Sequence, residues 1–359
     1  MIIVTADSRQ QTVDSRQQTA DSRCHYFDFL RVLAAFGVML NHVAGNIWNN
    51  TDVHSYEWAV SNIWMAVARW PVSVFFMISG ALFLSRDITF RKIYGKYVFR
   101  LFTAFLFWSF LYTALFFDNG GNYVKSITHF LWGGGYHLWF LFTISGLYMI
   151  VPFMKRIAES ESLTKYFLVL SLIFAFAIPE AAKVIALFSE RGSLLFKNYT
   201  DKLGLYFVLG ASGYFLLGYA LCRAYIAPWL EKVIYAAGIL SFASTIPFTS
   251  ATSHLLGKAS HIFYDNLTPN ILPEAAAVFV FFRKYFDRPS EIIRKLSQYS
   301  FGAYLVHLAV INTVEICGLK AILFDPLFSV PVISVIVFVI SFGISALLNH
   351  IPVINKYIV

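Results

Sequence analysis

Charge is what this sequence has least of. Asp, Glu, Lys and Arg make up 13% of 359 residues, about half the share of an ordinary soluble domain. That excludes a disordered chain and an ordinary cytosolic enzyme. Cysteine is scarce as well. Cys24, Cys222 and Cys317 stand far apart with no C-x-x-C pair, which excludes a disulfide scaffold, a dithiol redox motif and a zinc knuckle. They read as small hydrophobes packed in or near membrane helices. No Lys-Ser/Thr follows Gly133-Gly-Gly135, so that run is a hinge before a helix and not a phosphate loop. No G-x-S-x-G elbow occurs. Histidines lack H-x-x-x-H spacing, and no metal site is expected. The first 26 residues contain no apolar stretch, so no secretory signal peptide is expected there.

What the chain does have is apolar bulk: 58% hydrophobic residues, with 37 Phe, 20 Tyr and 8 Trp. Windows suited to spanning helices, each about 20 residues for a ~30 Å core, recur at 27–47, 59–84, 95–117, 136–154, 166–182, 204–222, 233–250, 267–285, 297–317 and 329–349. The expected fold is an all-α integral membrane bundle of about ten transmembrane helices. Pro179, Glu180 and Lys183 make the fifth window the weakest. The domain reading is a disordered tail over 1–26, one transmembrane domain over 27–352, and a cytoplasmic tail over 353–359.

The tail repeats a heptad three times: Thr5-Ala-Asp-Ser-Arg-Gln-Gln11, Thr12-Val-Asp-Ser-Arg-Gln-Gln18 and Thr19-Ala-Asp-Ser-Arg23. Without apolar a and d positions it is no coiled coil. A seven-base DNA unit read through successive frames encodes such a peptide, which leads to the hypothesis of slipped-strand phase variation. Synonymous codons that break the seven-base period would overturn it.

The net charge of +8 points to orientation and not to nucleic acid. With the N-terminus inside, 19 basic residues fall on segments 1–26, 86–100, 155–165, 223–232, 283–295 and Lys356. Seven fall outside, four of them between Lys183 and Lys202. The excess predicts both termini cytoplasmic. Two basic residues are left within spans, Arg31 and Arg69. Membrane-embedded charges normally face a wet cavity or a partner, although Arg31 is near enough to the helix end to snorkel. Arg31 and His42 are eleven residues apart, which puts them on one helical face about 16–17 Å apart along the axis.

Arg31-(x)10-His42, set in Tyr26-Phe-Asp-Phe-Leu-Arg-Val-Leu-Ala-Ala-Phe, resembles the signature of the type 3 membrane acyltransferases, bacterial O-acyltransferases of surface polysaccharides. Further similar segments are Arg69 before Pro71-Val-Ser-Val-Phe-Phe-Met-Ile-Ser-Gly80, Arg100 at the third helix, His137-Leu-Trp-Phe-Leu141, and Phe301-Gly-Ala-Tyr-Leu-Val-His307. The resemblance runs over about 26–350, although 155–290 agrees only in hydropathy. It is to the compact ten-helix form, similar to the enterobacterial-common-antigen O-acetyltransferase. Where relatives carry two arginines at the third helix, Lys96 accompanies Arg100 here.

The resemblance implies a cytoplasmic acyl-CoA donor, acetyl-CoA first, an envelope glycan acceptor, and residence in the bacterial inner membrane. Arg31, Arg69 and Arg100 are then expected to hold the donor phosphates near the cytoplasmic mouth. His42 is expected to be the general base on a sugar hydroxyl, with a transient acyl-histidine as the open alternative. His137, Trp139, Tyr304 and His307 are expected in supporting or acceptor-side positions. Aromatic-belt anchoring also accounts for Trp139, and a buried hydrogen-bonded pair for Tyr304 and His307. His254, His261, Asp265 and Asn266 are weaker acceptor-side candidates. No nucleic-acid partner is expected. A transporter or flippase for an envelope glycan is the rival reading.

Overall fold

A computed structural model describes residues 24–117, 122–131, 135–205, 208 and 210–359. Every regular element among them is helical. The repeat tail over 1–23, Gly133 and Gly134 lie outside the described residues.

Helix α1 spans Tyr26–Asn50. Its first turn is capped from far along the chain, because Asp287 accepts the backbone N–H groups of His25 (2.7 Å) and Tyr26 (3.3 Å). These are among the donors that a helix start leaves unpaired, and a carboxylate suits the positive end of its dipole. After a Ser55 cap come α2, Tyr56–Val67, and α3, Pro71–Leu84. Pro71 has no N–H for the ladder, so the helix breaks before it. The indole N–H of Trp70 donates to the Val67 carbonyl at 3.0 Å. Arg69 is carried on this break.

A π-turn, Ile93–Val98, leads into α4, Phe99–Phe116; α5 is Tyr123–Leu131. A 3-10 turn, Tyr136–Leu138, opens α6, Trp139–Met149, which meets α7, Val151–Ala158, at a bend of 60°. Next are α8, Glu161–Ser171, a π-turn, Leu172–Ala177, and α9, Ile178–Ala186. The π-turn takes up the residue that Pro179 displaces, so the fifth window continues as one helical rod. The chain closes with α10, Glu190–Leu203; α11, Ser212–Arg223; α12, Pro228–Leu256; α13, Ile271–Tyr285; α14, Glu291–Ile316; α15, Pro326–Asn349; and α16, Pro352–Tyr357.

Among the described residues, six helices are long and apolar enough to cross a membrane, or seven with the bent α6–α7 pair. The protein is therefore a multi-pass helical membrane protein, and ten crossings exceed this count. The windows at 204–222 and 267–285 yield helices of only 12 and 15 residues. Helix α14 has 26 residues, but His307, Asn312 and Glu315 dilute its apolar character. Lipid-suited residues cover the outside, among them Phe110, Leu115, Ile239 and Leu240, all more than half exposed.

Contacts between distant parts of the sequence join segments that the ten-crossing scheme assigns to one face. At one end Lys155 pairs with Asp87, Lys284 with Glu231 at 2.7 Å, and Arg283 with the Leu221 carbonyl. At the other end Asn46 donates to Glu315, Tyr56 to Asp325 at 3.2 Å, and Lys183 to Asp265 at 3.0 Å. Outside the spans, the Lys155 ammonium holds the Asp87 carboxyl below its ordinary pKa. Residues 353–359, expected as a tail, instead fold back on α4: α16 is followed by Val359, which is buried and accepts from Arg100. Pro352 starts that helix, and Ile354 and Ile358 pack on the core.

Glycines set the tightest approaches. A Cβ on Gly80 would stand 1.7 Å from the Phe215 carbonyl oxygen, and one on Gly218 2.0 Å from that of Met77. Helices α3 and α11 therefore touch backbone to backbone, as small residues permit in membranes. On α1, a Cβ at Gly37 would stand 2.6 Å from Pro71 Cγ. That approach seats the α2–α3 break, and Arg69 with it, against the helix that bears His42.

Candidate active site

His42 on α1 lies beside His307 on α14, with ring centroids 5.0 Å apart. His137, in the 3-10 turn before α6, stands edge-on to His307 at 5.1 Å. Tyr304 lies 5.5 Å from His137 and 5.6 Å from His307. Four site residues expected from sequence, His42, His137, Tyr304 and His307, thus form one cluster. Two hydrogen bonds within it go to backbone: Tyr304 Oη donates to the His137 carbonyl at 2.5 Å, and His307 Nδ1 bonds the Tyr304 carbonyl.

Tyr112, which sequence reasoning missed, shapes this cluster. Its hydroxyl donates to the Leu305 carbonyl at 2.8 Å and accepts from the Ala309 amide at 3.2 Å. Those are the two groups an α-helix would pair with each other. The hydroxyl therefore sits within the turn of α14 that carries His307. His137 Nε2 reaches the same Leu305 carbonyl at 3.3 Å.

His42 also lines a cavity of about 760 Å³. The α1 side of its wall carries Asn41, Asn46, Asn49 and Asn50, facing Asn312 and Glu315 of α14, with Arg69, Tyr264, Asp265, Asn266, His261 and Trp139 closing it. Asn41 Nδ2 and Arg69 Nε are buried donors with no hydrogen-bond partner. The Arg69 guanidinium lies over the Tyr264 ring, and the Tyr264 hydroxyl donates to Asn62 at 2.6 Å. In the loop outside the spans, burial and then the Arg69 charge hold His261 below its ordinary pKa, with Asp265 opposing.

The arginines do not gather as sequence reasoning placed them. Arg31 lies 3.5 Å from Asp28, whose carboxylate also accepts from Ser297 at 2.7 Å. Arg100 donates to the Val359 carbonyl and lies over Phe301 at 5.5 Å. Both guanidinium groups are in electrostatic range of Tyr148, so Arg31 and Arg100 share one end of the bundle. Arg69 does not join them; the helix break before Pro71 delivers it to the cavity of His42. Trp139 is on that cavity's rim. His261, Asp265 and Asn266 also reach the cavity, but His254 stacks on His54 at 4.7 Å and bonds the Val53 carbonyl at 3.0 Å.

The asparagines of α1, Asn312 and Glu315 were missed, though a signal existed. Asn41 precedes His42, and His307, Ile311 and Glu315 follow one helical face at steps of four. Among the described residues, no three His, Cys, Asp or Glu side chains converge as metal ligands.

The helical membrane bundle thus carries histidines beside a polar cavity toward one end and Arg31 and Arg100 toward the other. A family model described as an acyltransferase domain matches residues 25–350. The chain belongs to that family, the type 3 membrane acyltransferases. Searches of curated proteins and of solved structures each returned no match.

Proposed function

We propose that this acyltransferase moves an acetyl group from cytoplasmic acetyl-CoA to a hydroxyl of an envelope polysaccharide or its lipid-linked precursor, in a bacterial cytoplasmic membrane. One observation carries the reading. His42 opens on a cavity whose wall also holds two unpaired buried donors, Arg69 Nε and Asn41 Nδ2. Arg31 stands on the same helix, about 16–17 Å toward the other end.

In this reading Arg31 and Arg100 grip the donor's phosphates, which guanidinium groups bind in bidentate fashion. The thin pantetheine arm carries the thioester toward His42. The acceptor enters the amide-lined cavity, where asparagines and carboxylates match sugar hydroxyls as donors and acceptors. His42 takes the proton from the attacking hydroxyl as the oxygen bonds to the thioester carbon. Charge develops on the carbonyl oxygen, where donors left unpaired in the resting site act best. Arg69 and Asn41 fill that role. The tetrahedral adduct collapses, the C–S bond breaks, and the proton on His42 passes to the departing thiolate. An acyl group carried first on His42 would use the same residues.

The test uses purified protein in lipid nanodiscs with labelled acetyl-CoA and cell-derived glycan, beside His42→Ala at matched level in cells. Transfer of label by wild type and its loss in His42→Ala supports the reading. Unchanged glycan acetylation with loss of glycan export would favour a transporter.

A further inference from the structure

Beside the proposed base there is a buried nitrogen that nothing satisfies. His307 is fully buried, and its Nε2 has no hydrogen-bond partner. The other ring nitrogen, Nδ1, faces the Tyr304 carbonyl within hydrogen-bond reach. A carbonyl only accepts, so Nδ1 carries the hydrogen and Nε2 of the neutral ring holds a lone pair. A buried acceptor left unpaired is costly, and native structures seldom keep one without a use.

The ring nearest to hand is His42, 5.0 Å away between centroids and tilted by 36°. A centroid separation of 5.0 Å leaves room for a hydrogen bond between ring nitrogens that face each other, and catalytic hydrogen bonds often tighten only when substrate is bound. His137 is not the donor His307 needs, because its Nε2 is turned to the Leu305 carbonyl. Tyr304 is not that donor either, because its hydroxyl is given to the His137 carbonyl.

We propose that His307 is a positioning residue that fixes the tautomer of His42. One ring nitrogen of His42 donates its hydrogen to His307 Nε2, so the other presents its lone pair to the cavity. When His42 takes the substrate proton, the bond to His307 holds the imidazolium in place. His307 itself neither touches substrate nor changes protonation. This rests on His42 being the base, and it deepens that reading by naming what aims it. The Tyr112 hydroxyl, set within the same turn of α14, gives the His307 backbone its seat.

The test compares His307→Phe, which keeps a ring but no acceptor, with His307→Gln, whose amide oxygen reaches where Nε2 stood. Both are purified in nanodiscs, with His307→Leu repeating the contrast should the phenylalanine variant fail to fold. Expected for His307→Phe is a kcat lower by about 10²-fold or more, in the range of a mis-set catalytic tautomer, with KM for both substrates within about twofold. His307→Gln should recover most of that loss. A second readout needs no acyl transfer: the rate at which diethylpyrocarbonate modifies His42, followed by peptide mapping. It should fall in His307→Phe and return in His307→Gln. A phenylalanine variant with wild-type kcat, or a glutamine variant no better than phenylalanine in both readouts, overturns the proposal. A wild type without transferase activity but with the expected modification pattern would overturn the acyl-transfer reading and leave the histidine pairing standing.

Discussion

The guanidinium carbon of Arg69 lies 4.6 Å from the centroid of the Tyr264 ring, inside the cavity that His42 lines. Stacking over an aromatic face holds a guanidinium flat while leaving its edge free to donate. Arg69→Lys keeps the charge but loses that fixed edge. Its kcat should fall by about 10²–10³-fold, the usual cost of one lost oxyanion donor, with KM for acetyl-CoA little changed. Steady-state kinetics over both substrates measures this, and an effect confined to acetyl-CoA KM would return Arg69 to the donor site.

The opposite split is expected at the other end. Arg31→Gln and Arg100→Gln remove groups assigned to phosphate grip, so KM for acetyl-CoA should rise by about tenfold or more each, as expected for losing a charge-assisted bond. Competition by free coenzyme A should weaken in parallel, while acceptor KM stays near wild type. Loss of kcat alone in both variants would contradict the assignment.

Tyr112→Phe removes one hydroxyl that serves two backbone groups of α14. The Ala309 amide loses a partner in a partly buried turn, which costs about 1 kcal/mol. The variant should melt at lower temperature in detergent and lose activity through the displaced His307. A melting curve superimposable on wild type would show that the helix closes its own ladder there.

Gly80→Ala places a methyl 1.7 Å from the Phe215 carbonyl oxygen, and backbone cannot rotate aside as a side chain can. The loss should reach at least about 3 kcal/mol, the upper end for overpacking, seen as poor expression or a collapsed melting transition. Gly343→Ala meets nothing within 4 Å and should express as wild type does. Equal behaviour of the two would mean that α3 and α11 do not touch.

His261 links the cavity mouth to pH. Its ring packs on Trp48 at 4.8 Å, and burial and Arg69 depress its pKa below 6.5 while Asp265 opposes them. Below pH 6.5 the unfolded chain therefore binds this proton more readily than the folded one. The neutral ring's contribution is present above that pH and lost as pH falls through the lowered folded value. Wild-type melting temperature in detergent should decline on the acid side of 6.5, and His261→Gln should flatten the decline. An unchanged slope would put the titration on another group.

The helices themselves were largely legible. The window at 27–47 became Tyr26–Asn50, and that at 329–349 became Pro326–Asn349, because apolar runs bounded by polar caps leave the backbone few alternatives in lipid. Pro179 made the fifth window the weakest, but a π-turn absorbs it and the helix runs on. Sorting charges by position singled out Arg31 and Arg69, and helical arithmetic tied Arg31 to His42. The histidines at 137 and 307 carried only family resemblance until tertiary contacts brought them together.

Sequence alone thus determined that the chain spans a membrane and that Arg31 and Arg69 are the basic residues its loops do not account for, because the cost of charge in lipid is local and countable. Only the tertiary structure decided which of those residues meet. Arg69 joins His42 and not Arg31 because Pro71 breaks a helix beside Gly37. His307 reaches His42 because α14 packs on α1. Such meetings depend on rotation and approach between helices distant in the chain, and no one-dimensional period encodes them.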